Sequence, residues 1–154
     1  MKKGYILLIL MLMSSFIFAQ NVVLVNENFS TGALPTGWSM IDNDGDTYNW
    51  DPAYGLLGHN PVPTDSACIS SASYINGVGA LTPDNFLVTK NVTGADSVYY
   101  YVCAQDAAYA GEYYDLMAST TGSAVGDFTV VFSETMTAKG LVSSSSSAVE
   151  RNNQ

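Results

Sequence analysis

The sequence is poor in histidine, in basic residues and in charge overall, and each shortage excludes a class of function. Its 154 residues include one histidine, which excludes any mechanism that needs two imidazoles. Five basic residues oppose fourteen acidic ones, and the formal net charge of -9 would repel a phosphate backbone, so nucleic-acid binding is not expected. Charged residues are 12% of the chain and hydrophobic residues 47%, a composition too apolar for a disordered acidic tail.

Helix-forming runs are also missing after the N-terminus, whereas glycine (13) and tyrosine (10) are plentiful. Apolar, β-branched and aromatic stretches recur about every ten residues with turn residues between them, which is typical of an antiparallel sandwich or barrel. We therefore predict one all-β domain over residues 20–140. The predicted strands are 22–29, 38–41, 68–74, 86–89, 97–103, 113–119 and 127–133.

The N-terminus has the pattern of a targeting segment. Lys2 and Lys3 precede an apolar stretch over residues 5–18, and the small residue Ala19 precedes Gln20. This pattern predicts a secretory signal peptide over residues 1–19, because the stretch is shorter than the ~20 residues of a spanning helix. The alternative is an N-terminal membrane anchor. No later apolar run is long enough to span a bilayer, so we expect a secreted or cell-surface protein without membrane insertion after signal cleavage.

Export affects the interpretation of the two cysteines. Cys68 and Cys103 would lie in an oxidising compartment, where they could form a disulfide or remain two buried thiols on neighbouring strands. Neither has metal-ligand spacing to another cysteine or histidine. The last residues, 141–154, contain five consecutive serines and no periodicity, which predicts a disordered tail. The alternative is the end of an interrupted reading frame.

One acidic stretch has the composition of a cation site. Asp42, Asp44 and Asp46 alternate with small and polar residues, and calcium takes 6–8 oxygen ligands from such curved loops. The loop is not an EF-hand, because Thr47 and Ala53 stand where that loop has glycine and glutamate. The spacing favours a calcium loop of a β-domain over the alternative, a solvated acidic turn.

Signatures of catalysis are absent from the sequence. It contains no HExxH, G-x-S-x-G, P-loop or dinucleotide fingerprint, and a serine triad could form only around His59. We therefore predict that the chain is not an enzyme. Six tyrosines offer a binding alternative, since exposed rings could stack on sugars or dock on proteins, whereas inward ones would form the core. They are Tyr99, Tyr100, Tyr101, Tyr109, Tyr113 and Tyr114.

Several motifs in order resemble a known family. They are ENF at 27–29, LPTGW at 34–38, IDNDGD at 41–46, SSASY at 70–74, LTPDNFLVT at 81–89 and YVCAQD at 101–106. Over residues 27–139 the chain resembles the cleaved adhesin domains, which are modules attached to gingipain-type cysteine proteases and to surface haemagglutinins.

This resemblance implies a jelly-roll β-sandwich that is stabilised by calcium and acts as a binding module. One site would use Asp42, Asp44 and Asp46, a main-chain oxygen of Tyr48, and oxygens of Asp65 and Ala67. A second would use Asn28, Ser30 and Asp84. Family members usually have an acidic residue where this chain has Ser30, and they continue past the position of Lys139 through further strands. We therefore expect a sandwich that is incomplete at its C-terminal end.

The resulting hypothesis is a secreted, calcium-binding adhesin or haemagglutinin-type module. Its expected partners are protein or glycan on a host or neighbouring cell surface or in the environment, and further domains of a longer precursor. The alternative is an accessory non-catalytic domain, or a fragment, of a larger secreted hydrolase such as a protease or glycosidase.

Overall fold

The structure is a computed structural model that describes residues 22–53, 67–102, 104, 107–136 and 143–148. Within these ranges the chain forms strands and two single-turn 3₁₀ helices, Ala107–Tyr109 and Val125–Asp127. The strands are β1 (Ser39–Asp42), β2 (Tyr74–Ile75), β3 (Gly79–Ala80), β4 (Asn85–Val88), β5 (Ser97–Val102), β6 (Tyr113–Ala118), β7 (Thr129–Thr135) and β8 (Ser143–Ala148).

All strand pairing is antiparallel. The pairs are β1–β4, β2–β3, β5–β8 and β6–β7. The β2–β3 hairpin closes where Val78 N donates to Ile75 O, and Gly77 supplies the left-handed backbone with φ +87°. The predicted all-β architecture is confirmed for the described part of the chain.

Aromatic side chains make contacts within and between these strand pairs. Tyr100 of β5 meets Tyr114 of β6 edge to face at 6.1 Å between ring centroids, and Tyr114 lies 6.4 Å from Phe132 of β7. Period-two alternation then turns Tyr99 and Tyr101 outward, where 78% and 60% of their surface is exposed. The tyrosines are therefore divided between packing and solvent.

The predicted strand at 22–29 does not form in the structure. Val22 and Val23 are 73% and 75% exposed, and no strand partner for this segment is found among the described residues. Further on, the Glu27 carboxylate accepts the backbone N–H groups of Asn28 and Phe29, and Phe29 takes a left-handed φ of +54°. A side chain that captures ladder donors competes with sheet formation, so β propensity alone does not make a strand here.

Three further segments differ from prediction. The stretch 68–74 contributes only a bridge between Ser70 and Asp51 before β2 begins, and the predicted loop 77–84 contains β3. In the predicted disordered tail, Ser143–Ala148 forms β8 and pairs with β5 from Val102↔Ser143 to Ser97↔Ala148. The serine-rich composition predicted disorder because serine offers little apolar surface to bury. Main-chain hydrogen bonds form a ladder whatever the side chains are, and here they pair the segment with β5.

Some predictions lie outside the described residues. They concern the signal peptide at 1–19, His59, Asp65 and Cys103. Cys68 is half-buried, and the two alternatives for it, a disulfide with Cys103 or a buried thiol, both stand as the sequence left them. In the part of the chain that the structure describes, no helix has the length and apolarity to cross a membrane.

Candidate metal centre

The acidic loop begins where β1 ends, at Asp42. Gly45 and Thr47 both have a φ of +73°, and this curls the loop around the Asp42 carboxylate. Gly45 N donates to Asp42 Oδ1 at 2.7 Å and Thr47 N donates to Oδ2 at 3.0 Å. Thr47 is β-branched, so its left-handed backbone is strained and has to be held by these surroundings.

The other two aspartates follow the same local pattern. Asp46 N donates to Asp44 Oδ1 at 3.1 Å, and Tyr48 N donates to Asp46 Oδ1 at 2.8 Å. The carboxylates of Asp42, Asp44 and Asp46 thereby offer oxygens that all lie within 4.8 Å of one another. The structure thus brings together three of the predicted ligands.

Backbone hydrogen bonds lower the pKa of Asp44. The backbone N–H of Asp84 and then that of Asp46 hold the pKa of Asp44 below its ordinary value, and side-chain hydrogen bonds with Asp42 and Asp46 add to this. Desolvation opposes this lowering of the pKa only in part. Asp44 is therefore anionic at neutral pH.

Asp84 lies against this loop. Its N–H donates to Asp44 Oδ2 at 2.8 Å, its carbonyl accepts from Asn43 N at 3.0 Å, and its carboxylate accepts from Asn43 Nδ2 at 2.5 Å. The family resemblance grouped Asp84 with Asn28 and Ser30, which share a turn of their own in which Ser30 N donates to Asn28 Oδ1 at 3.1 Å. Asn28 and Ser30 line an open surface cavity of about 540 Å³ together with Glu27 and Thr31. The second ligand set stays a prediction.

Asn85 is a supporting residue that sequence reasoning missed. Its Nδ2 donates to Tyr48 O at 2.8 Å and to Ser71 Oγ at 3.1 Å, while Trp50 Nε1 donates to its carbonyl at 3.2 Å. The Asn85 amide therefore fixes the Tyr48 carbonyl, which is one of the predicted ligands. Its Oδ1 is buried and has no hydrogen-bond partner. Asn85 reaches the Tyr48 carbonyl because the β1–β4 register places it opposite Asp42, at the start of the acidic loop. A single sequence does not give that register.

The donor set fits a hard divalent cation. Carboxylate and carbonyl oxygens are the ligands of calcium, and a carboxylate oxygen that accepts one N–H retains a further lone pair. Asp65 lies outside the described residues. Ala67, the first described residue after it, is buried. The same hydrogen bonds are those of successive aspartate turns, so an acidic turn without an ion is the competing interpretation.

Comparison with known proteins places these features in context. The profile of the Cleaved Adhesin Domain family matches residues 22–154. Gingipain R1 of Porphyromonas gingivalis is 41% identical over 123 residues, which are 76% of this chain and 7% of that protein. Hemagglutinin A of the same organism is 43% identical over 126 residues, 77% of this chain and 5% of that protein. The chain thus spans less than a tenth of the length of these two relatives.

The chain is also similar to solved structures of cleaved adhesin domains. The K2 cleaved adhesin domain of Lys-gingipain superimposes with a TM-score of 0.68 at 32% identity, covering 80% of this chain and 82% of that one. The K3 domain of Lys-gingipain from Porphyromonas gingivalis gives 0.65 at 34% identity, covering 79% and 78%. Together with the antiparallel pairing, these likenesses confirm the predicted β-sandwich.

Proposed function

Because the chain belongs to the cleaved adhesin domain family, as its motifs predicted, we propose that it is a secreted, calcium-binding adhesin. It attaches to protein or glycan on a host or neighbouring cell surface. The family is an adhesin or haemagglutinin-type module of larger precursors, and it is distinct from the catalytic part of the gingipains. In this proposal the chain has no catalysis of its own, and its sandwich has jelly-roll connectivity.

The convergence of three carboxylates in the loop after β1 is the observation that carries the calcium proposal. Asp42, Asp44 and Asp46 repel one another at this separation unless a cation offsets their charge. Calcium held by these side chains and by Tyr48 O would join the end of β1 to the chain before Trp50. Asp65 and Ala67 complete the proposed site, and Asn28, Ser30 and Asp84 form the proposed second one.

The role of the ion is structural. A loop without regular hydrogen bonding loses conformational entropy when it is ordered, and an ion that binds only the folded state adds its binding free energy to stability. A loop fixed in this way presents a constant surface to a partner. The ion takes no part in a reaction.

The test combines metal binding with adhesion. Isothermal titration of calcium into the chelator-treated chain is expected to show binding, and Asp44→Asn is expected to weaken it. The control Asp96→Asn removes the same charge from an exposed residue before β5, where the carboxylate accepts a hydrogen bond from Ser97, and should bind calcium normally. Agglutination of erythrocytes, or retention on immobilised matrix protein, should require calcium in the wild type. Equal adhesion in calcium and in chelator would contradict the proposal.

A second candidate is an accessory module of a longer secreted hydrolase. It is supported by the small share of the relatives that the chain spans, and by a further relative named protease PrtH, 43% identical over 110 residues. Sequencing the genomic region around this reading frame distinguishes the candidates, because protease or glycosidase motifs in a continuing frame would favour the second.

A further inference from the structure

The tip of the β2–β3 hairpin carries the one asparagine in the sequence that is followed by glycine, Asn76 before Gly77. The two residues occupy the centre of the turn in which Val78 N donates to Ile75 O at 3.0 Å. Gly77 has a φ of +87° there, a backbone conformation that glycine adopts without strain. The pair is suited to the turn for this reason, and the missing side chain at Gly77 also makes the pair reactive.

Both tip residues are exposed, and the contact that joins the hairpin to β6 lies at its base. Leu81 N donates to Ser73 O at 2.8 Å, and Ser73 Oγ donates to Glu112 Oε1 at 2.5 Å, next to the start of β6. β2 and β3 contribute only two residues each, and Val78 beside the tip is 57% exposed. A two-stranded hairpin this short opens readily, so its tip samples conformations other than the closed turn.

An exposed asparagine before glycine loses its side-chain amide by ring closure with the backbone. The main-chain nitrogen of Gly77 gives its proton to solvent and forms a bond to Cγ of Asn76, and the Cγ–Nδ2 bond breaks. The nitrogen takes up a proton and leaves as ammonia, and a five-membered succinimide remains. Water then opens this ring at either carbonyl and leaves aspartate or isoaspartate at position 76. No electrons are transferred, and water is the one co-reactant.

Two other exposed pairs show why the hairpin tip is distinctive. Asp44–Gly45 also ends in glycine, but Gly45 N donates to Asp42 Oδ1 at 2.7 Å, and a carboxylate is a poorer electrophile than an amide. Asn91 is exposed, but the β-branched Val92 follows it and hinders the approach of the main-chain nitrogen. At Gly77 an added Cβ would meet no atom of the described residues within 4 Å, so the ring has room to form.

We propose that Asn76 is a site of spontaneous deamidation, through which the tip of the β2–β3 hairpin gains a carboxylate, partly as isoaspartate, while the protein ages. Isoaspartate runs the main chain through its side-chain carbon and adds one atom to the turn, which disturbs the pairing of Ile75 with Gly79. The aspartate product keeps the original main chain and its pairing. The inference is independent of the proposed adhesin function, because it depends on the hairpin alone.

The test is incubation of the calcium-loaded full chain at mildly alkaline pH, with samples digested by chymotrypsin and followed by mass spectrometry. The peptide that contains residue 76 is expected to gain the mass difference between an amide and a carboxyl group and to separate into two chromatographic peaks. An isoaspartate methyltransferase should methylate only one of them. The peptides that contain Asn91 and Asp44 are internal controls and should react at least about tenfold more slowly, because one has a hindered and the other a hydrogen-bonded nitrogen.

Two variants test the ring closure itself. Gly77→Asn should slow the reaction at residue 76 at least about fivefold, because asparagine tolerates the left-handed φ of the turn while its side chain hinders the nitrogen. Asn76→Gln keeps the amide but would require a six-membered ring, so residue 76 should stay unmodified over the same time. Hydrogen exchange at Leu81 N–H, which bonds to Ser73 O, establishes that each variant forms the hairpin, and it should be faster in the isoaspartate product than in the aspartate product.

An unmodified Asn76, or equal rates at Asn76 and Asn91, would overturn the proposal. A rate at Asn76 that Gly77→Asn leaves unchanged would overturn it as well, because the missing side chain at residue 77 would then have no part in the reaction. Aspartate formed without isoaspartate would also contradict it, since direct hydrolysis of the amide does not pass through the ring.

Discussion

Replacing Asn85 with aspartate should destabilise the protein, although the two side chains have the same shape. Asn85→Asp preserves the shape of the side chain, so no cavity forms, but it removes the hydrogen bond that Nδ2 donates to Tyr48 O. The Ser71 hydroxyl, which now accepts from Nδ2, can turn and donate to the new carboxylate. The substitution also introduces a carboxylate beside the Tyr48 carbonyl, in the neighbourhood of Asp42, which lies opposite in the β1–β4 register.

The expected loss follows from these contacts. The lost bond contributes about 1 kcal/mol net, and a Tyr48 carbonyl that loses its donor and faces a carboxylate costs about 1–3 kcal/mol more, so the unfolding free energy should fall by about 2–4 kcal/mol. For a domain of this size that corresponds to a fall in Tm of roughly 6–15 °C. The assay is thermal unfolding followed by circular dichroism in chelator, which separates this effect from metal binding.

Asn49→Asp is the matched control. It adds the same charge to the same loop. Within the described part of the chain the Asn49 side chain makes one hydrogen bond, which Oδ1 accepts from Trp50 N at 2.7 Å, and a carboxylate oxygen accepts it equally well. If Asn85→Asp lowered Tm by less than about 2 °C, or if the Asn49→Asp control lowered it equally, the reasoning that the amide of Asn85 holds the loop would be refuted.

Two further predictions concern the strained loop and the β6–β7 surface. Thr47→Asn should raise the unfolding free energy by about 1 kcal/mol, measured by urea titration. Asparagine tolerates a left-handed φ better than a β-branched residue does, and the hydrogen bond from the residue 47 N–H to Asp42 is retained. A destabilised variant would contradict this. Ser133→Ala should raise the pKa of Asp115 towards its ordinary 3.8 in an NMR titration, because the bond from Ser133 is the larger cause of its depression. The stabilising contribution of Asp115 is complete above that ordinary value and is lost as the pH falls through the lower folded pKa, so the variant should lose less stability in acid. An unchanged pKa would show that Tyr113 alone is sufficient.

The sequence predicted strands well where aromatic and β-branched residues have partners in the described structure. The segments predicted at 86–89, 97–103 and 113–119 agree with β4, β5 and β6 to within one residue at each end. The same propensity failed at 22–29, because a strand also requires a neighbouring strand and free backbone donors. Ser143–Ala148 is the converse case, in which pairing with β5 outweighs a poor composition.

Part of the candidate site could be predicted from the sequence, and part depends on strand pairing that the sequence does not specify. The grouping of Asp42, Asp44 and Asp46 was predictable because alternate residues of one short loop stay close whatever the rest of the chain does. The contacts of Asp84 with Asn43 and Asp44, and the bond from Asn85 to Tyr48 O, join residues that are distant in sequence. Such contacts depend on the β1–β4 register, and no local pattern specifies it.

The most direct test of the calcium-stabilised module is thermal unfolding of the chain in saturating calcium and then in chelator. At about one hundred times the dissociation constant, a single site adds about 2.7 kcal/mol to the folded state, which should raise Tm by roughly 8–10 °C. Asp44→Asn should remove most of this difference, and Asp96→Asn should preserve it. A cooperative melt at the same temperature in calcium and in chelator would contradict the account and would identify the acidic loop as a solvated turn.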